Sequence, residues 1–275
     1  MGGRRAARAA AGRSPGDRGV TVLGVVLGAL IGLSLGALGG GGSILTVPVL
    51  VYVLGQPPRE ATTAGLVVVG VTALTGAVGH ARAGHVRWRA GLAFGAAGTV
   101  ASFAGTALNR SVDPTVLLLC FAALMVVSAV GMLRRYRGGR TAAAGPPERS
   151  PAHPVARVLV SGSVVGFLTG FLGVGGGFVI VPALVAALGY EMPVAVGTSL
   201  LVIAVNSAVA LAARAGAERF PWHVLVPLTV AAVAGSLAGR AVCARVPAPV
   251  LGRAFATLTV AVAGYLVVRC AAGAV

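Results

Sequence analysis

Residues 39–48 read GGGGSILTVP and residues 173–182 read GVGGGFVIVP, so each glycine run leads into a proline within a long apolar stretch. Consecutive glycines weaken a helix and bare its amides, and in a hydrocarbon solvent those amides need a polar partner. Each run therefore predicts a broken helix. Shifting the sequence by 134 positions lays one run on the other. The same shift puts Gly28, Gly32 and Gly36 on Gly162, Gly166 and Gly170, Trp88 on Trp222, Ser102 on Ser236 and Gly105 on Gly239. The chain reads as two homologous halves.

The composition says what surrounds them. Of 275 residues, 57% are hydrophobic and only 10% charged, too few charges to cover a water-soluble globule of this size. Apolar stretches lie at roughly 20–54, 61–80, 90–108, 114–133, 158–189, 193–213, 223–243 and 249–268, each near or above the ~20 residues a helical crossing requires. They lack the alternating polar positions of a membrane strand. The expected fold is all-α and polytopic, with about eight transmembrane helices in two parallel four-crossing repeats.

Arginine sets that expectation, since all 22 basic residues are arginine and the net charge is +16. Cytoplasmic loops are enriched in such residues. If each glycine-broken stretch crosses once and the N-terminus is inside, only Arg59, Arg110, Arg240, Arg245 and Arg253 fall outside, against 17 inside. If each crosses twice, the tally is about 10 inside against 12 outside. The first count predicts a cytoplasmic tail at 1–19, a first repeat at 20–137, a cytoplasmic linker at 138–157 and a second repeat at 158–275. Both termini are then cytoplasmic. The Arg-rich start also resembles a signal peptide, but the mid-chain copy of the first apolar run argues against cleavage.

Several function classes lack their residues. The arginines sit at the ends of apolar stretches with little aromatic content for base stacking, so no nucleic-acid partner is expected. Cys120, Cys243 and Cys270 are too scattered for a disulfide framework, and the four histidines have no HxxxH or HExxH spacing, so no metal or cofactor is expected. No constellation of nucleophile, base and orienting group suggests an enzyme.

Three polar features remain. The glycines spaced by four at Gly28, Gly32 and Gly36, and their copies, suit close helix packing. The runs Gly39, Gly40, Gly41 and Gly42, and Gly173, Gly175, Gly176 and Gly177, offer amides and a helix start suited to an anion. Thr62 and Thr63 in the first half, and Thr198, Ser199 and Asn206 in the second, supply hydroxyls and an amide for the same pocket. All six acids, Asp17, Glu60, Asp113, Glu148, Glu191 and Glu218, fall in the tail, in loops or at span ends. With no carboxylate mid-membrane, an anion is favoured over a cation. The GHARAGHVRW loop from Gly79 to Trp88 fits interfacial anchoring, with His80 also placed for a gate or a proton-linked role.

The duplicated GxGGGxxxVPxL element (Gly173, Gly175, Gly176, Gly177, Val181, Pro182, Leu184) is joined by AxGTSL (Ala195, Gly197, Thr198, Ser199, Leu200) and by the loop residues Gly84, Val86 and Trp88. Together they resemble the sulfite exporter TauE/SafE family of membrane transporters, from about Val20 to Arg269. That resemblance implies a plasma-membrane transporter of small anions such as sulfite or organosulfonates. Its first-half TSL element is altered here to Thr63-Ala64-Gly65-Leu66, which lacks the serine. The expected partners are the lipid bilayer, a small anion and a possible second copy of the chain. An anion channel and a non-transporting accessory subunit are the alternatives.

Overall fold

A computed structural model describes residues 15–109, 111–137, 154–172, 177–212 and 222–271. Every regular element among them is helical. In order they are α1 (Pro15–Leu38), α2 (Gly41–Pro48, extended by a π-turn at Val49–Val53), α3 (Pro58–Arg82), α4 (Trp88–Asn109) and α5 (Pro114–Arg137). The second half has α6 (Pro154–Leu172), α7 (Gly177–Leu188), α8 (Met192–Ala212), α9 (Trp222–Arg245) and α10 (Ala248–Ala271). Proline opens α1, α3, α5 and α6, where its fixed φ suits a helix and its missing N–H removes no bond. Each element under the 134-residue shift has its counterpart, α1 with α6 through α5 with α10.

The helix surfaces are inside-out relative to a soluble protein. Val100, Phe103, Val127 and Val268 are each about two-thirds exposed or more, while Thr72, His80, Thr198, Ser199, Ser236 and Thr259 are buried. Lipid solvates the first set and the protein interior must satisfy the second. Six described helices are long and apolar enough to cross a membrane: Glu60–Arg82, Trp88–Asn109, Val155–Leu172, Met192–Ala212, Leu225–Arg245 and Ala248–Tyr265. The expected eight counted each glycine-broken stretch as one crossing.

That count is corrected at Gly39. Gly39 has φ +73°, a left-handed conformation that ends α1, and its N–H donates to Leu35 O at 2.8 Å. The chain then reverses instead of continuing. A Cβ on Gly42 would overlap the Ile31 carbonyl, and one on Gly24 would lie 3.5 Å from Leu54, so α2 runs back along α1 as a hairpin. In the second half Ala183 and Ala187 of α7 line one groove with Arg157, Val160, Ser161 and Val164 of α6, the same antiparallel relation.

The glycine spacing explains which helices meet. Gly28 faces Leu228, Gly32 faces Ala232 and Gly36 faces Ser236, so α1 lies parallel to α9 with backbones nearly touching. Gly162 faces Phe94, Gly166 faces Gly98 and Gly170 faces Ser102, making α6 and α4 the matching parallel pair. Each half thus lends its first helix to the other half's fourth. Small residues on both sides permit that approach.

Direction follows from the same contacts. Gly70 abuts Ser207 and Gly76 abuts Leu200, so α3 and α8, which correspond under the shift, run antiparallel. The parallel arrangement inferred from the arginines is therefore corrected. With a hairpin added, each half has five helical segments, an odd number, and the second half traverses the bundle in the opposite sense. α1 and α6 then begin at opposite ends of the bundle, where the one-crossing count had placed both at the same end. The arginine tally matching this chain path is the nearly even one, which sets no orientation. Residues 1–14 and 138–153 lie outside the described residues.

Candidate functional site

The two hairpins meet at the starts of α2 and α7. Gly40, the residue before α2, packs against Gly177, the first residue of α7: a Cβ on Gly40 would overlap the Gly177 carbonyl, and one on Gly177 would meet Ser43 Oγ at 2.5 Å. A Cβ on Gly39 would lie 2.6 Å from Ser199 Oγ and 2.8 Å from Val196 Cα. Glycine is required here because two backbones cross where any side chain would collide.

Gly40 precedes α2 with φ −170° and ψ −23°, and no side chain caps this helix start. Ser43 Oγ turns back to donate to Gly40 O at 2.7 Å, and Ser43 N–H donates to the same oxygen at 3.2 Å. Thr46 Oγ1 donates to Gly42 O at 3.0 Å. The hydroxyls near the break thus hold carbonyls, while the positive end of the α2 dipole points into the crossing. Ser199, fully buried on α8, shares its single hydroxyl proton between Gly39 O and Val196 O, each 2.8 Å away. Its hydroxyl fixes the turn, a positioning role rather than the anion-donating one expected from sequence.

The expected residues are only partly gathered. Gly39, Gly40, Gly177 and Ser199 meet at the crossing, whereas Gly42 packs back on Ile31 and Leu35 of α1. Thr198 faces the other way, accepting the Arg87 N–H at 3.2 Å near the start of α4. Asn206 also faces α4, where its Oδ1 accepts from Thr99 at 3.2 Å. Thr62 and Thr63 lie in the first turns of α3, at the opposite end of that helix from His80. Gly173, Gly175 and Gly176 lie outside the described residues.

Three further groups lie near the crossing. His80, expected in an inner loop and noted there for a gate or proton-linked role, is 1% exposed in the last turn of α3, with Nε2 3.2 Å from Gly36 O. Arg240, assigned to a rim, lies along α9 and donates from Nη1 to Gly79 O at 3.0 Å. Ser43, which follows the first glycine run, lies beside Gly40 and Gly177. A half-buried arginine is legible in sequence only as a basic residue short of a span's end, which Arg240 is. The described carboxylates keep to helix starts: Glu60 in the first turn of α3, Asp113 before α5 and Glu191 before α8. There they complement helix dipoles, away from the crossing.

Comparison with known proteins places the chain in a family. Residues 24–266 match the family model described as sulfite exporter TauE/SafE. A "Probable membrane transporter protein" of Xylella fastidiosa strain Temecula1 is 36% identical over 249 residues, covering 88% of this chain and 93% of the relative. The "Probable membrane transporter protein YdhB" of Bacillus subtilis strain 168 is 29% identical over 242 residues, covering 86% and 96% respectively. No solved structure matches. With the family model spanning residues 24–266 and six described helices long and apolar enough to cross a membrane, the protein belongs to the sulfite exporter TauE/SafE family of membrane transporters.

Proposed function

We propose that the protein carries a small oxyanion, sulfite or an organosulfur anion, across the plasma membrane by alternating access. The observation that carries this reading is the crossing of two broken helices, Gly40 against Gly177. A break at this depth exposes amides and a positive helix end where no water hydrates them, and an anion satisfies both. The amides of Gly40, Gly41 and Gly42, with those of the second glycine run, are the proposed ligands. Ser199 holds Gly39 in place. Thr62, Thr63, Thr198 and Asn206 belong to the walls of the path rather than to the crossing.

The two halves act as inverted repeats, each hairpin reaching the crossing from its own side. Exchange of one hairpin's exposure for the other's then alternates access, since inverted halves adopt each other's conformations. Both termini lie on one side of the membrane. No chemical conversion of the solute is involved.

Counterflow into proteoliposomes tests this, with sulfite, sulfate, thiosulfate and short organosulfonates loaded in turn. Saturable accumulation of at least one sulfur oxyanion is expected. Ohmic conductance instead would make the protein a channel, and no movement of any anion would leave it an accessory subunit.

A further inference from the structure

Just beyond the Gly39 turn lies a polar layer that the crossing does not use. His80 Nε2 is 3.2 Å from the Gly36 carbonyl oxygen of α1. A carbonyl only accepts, so Nε2 carries the hydrogen and Nδ1 of the neutral ring is a bare lone pair. Nδ1 is fully enclosed and has no hydrogen-bond partner. Arg240 of α9 leaves its Nε enclosed and unpartnered too, as does Thr72 with its Oγ1 two turns below His80 on α3. Buried polar atoms without partners are rare and call for an explanation.

The charged and titratable groups facing His80 are few among the described residues. α9 contributes Arg240, and the loop after α3 contributes His85, with ring centroids 6.1 Å apart. α1 presents the Gly36 carbonyl and α8 presents Gly197, whose added Cβ would lie 2.9 Å from the His80 Cβ. No carboxylate faces the ring among them.

We propose that His80 is the proton-binding residue of the transport cycle: Nδ1 takes a proton when an anion enters the His80–Arg240 layer, so that anion and proton move together. The inference rests on the transport reading above. Without an anion, a proton on Nδ1 would place a second positive charge beside the Arg240 guanidinium. An anion offsets both charges, so each ligand favours the other's binding. Only Ala37 and Leu38 separate Gly36 from the Gly39 turn, and moving that turn takes the acceptor away from Nε2. The imidazole therefore links proton occupancy to hairpin position. The proton is taken from water on one side and returned on the other, with no bond to the solute made or broken.

Proteoliposomes containing a trapped pH dye test the proposal, with thiosulfate or methanesulfonate as the solute. Both are fully ionised near neutral pH and bring no proton of their own. An inward gradient of either anion is expected to acidify the interior of vesicles holding the native protein. In His80→Gln, whose amide N–H still reaches toward Gly36 O, anion movement is expected without acidification. Native flux without acidification, or acidification that persists in His80→Gln, overturns the proposal while leaving transport intact. If His80→Gln moves no anion, Arg240→Gln decides: loss of its charge moves the pH of half-maximal flux toward alkaline values, and an unmoved midpoint overturns the proposal. Absence of anion flux in the native protein overturns the transport reading and this inference with it.

Discussion

At Ser199 one hydroxyl spans two carbonyls, and its contribution is set by what its loss would leave behind. In Ser199→Ala the Gly39 oxygen, buried at the turn, loses its donor, which costs about 1–3 kcal/mol. The expected outcome is a lower melting temperature in detergent and slower counterflow, with the protein still inserted. Gly39→Ala is expected to be worse. A Cβ in the left-handed region costs about 1–2 kcal/mol, and here it would also meet Ser199 Oγ and Val196. Both residues stand out in the sequence, one in a glycine run and one in a GTSL element. Their pairing does not, because 160 residues separate them and no local pattern encodes a contact across the two halves. Thr198 illustrates the converse: adjacent to Ser199, it points about a quarter-turn or more away on a 3.6-residue helix, and spacing along the chain could not reveal which of the two faces the break.

Among the elements, α1 with α9 and α4 with α6 depend on glycine contact. Gly32→Leu would drive a side chain into the Ala232 backbone, and Gly166→Leu into Gly98. Overpacking of this kind costs about 1–3 kcal/mol when neighbours can shift, and more against backbone. Both variants are expected to give little folded protein by size-exclusion chromatography, whereas Gly131→Leu, where an added Cβ meets nothing within 4 Å, is expected to behave as native. The every-fourth-residue glycines made close packing legible in the sequence. Their partner was not legible, since a stripe of small residues specifies a near neighbour without naming it. The hairpin was illegible for a related reason: α2 with its π-turn is shorter than a crossing, so hydropathy merges it with α1 into one long stretch. Arginine counting then favoured one crossing because it rewards any path that gathers charge on one side.

For the whole molecule, the reversed second half makes a topological prediction. Fusion or labelling sites in the N-terminal tail and in the linker at 138–153 are expected on opposite sides of the membrane, with the C-terminal end on the side of the N-terminal tail. Impermeant thiol labelling of single cysteines at these places in intact cells would read this directly, and tail and linker on the same side would contradict it. The membrane class, the duplication and the glycine breaks all follow from composition and repeats, which are properties of the chain. The antiparallel pairing of α3 with α8 is a property of the packed bundle. It emerges only when Gly70 is seen against Ser207 and Gly76 against Leu200. The central claim is that an anion sits where the hairpins cross, and Ser43, beside Gly177, reports on that point. In a Ser43→Cys variant with Cys120, Cys243 and Cys270 replaced, the rate of alkylation by a small permeant thiol reagent should be measured with and without the transported anion. Saturating anion is predicted to slow labelling at Ser43→Cys and leave a Ser163→Cys control on α6 unchanged; equal rates at Ser43→Cys with and without every transported anion would contradict the account.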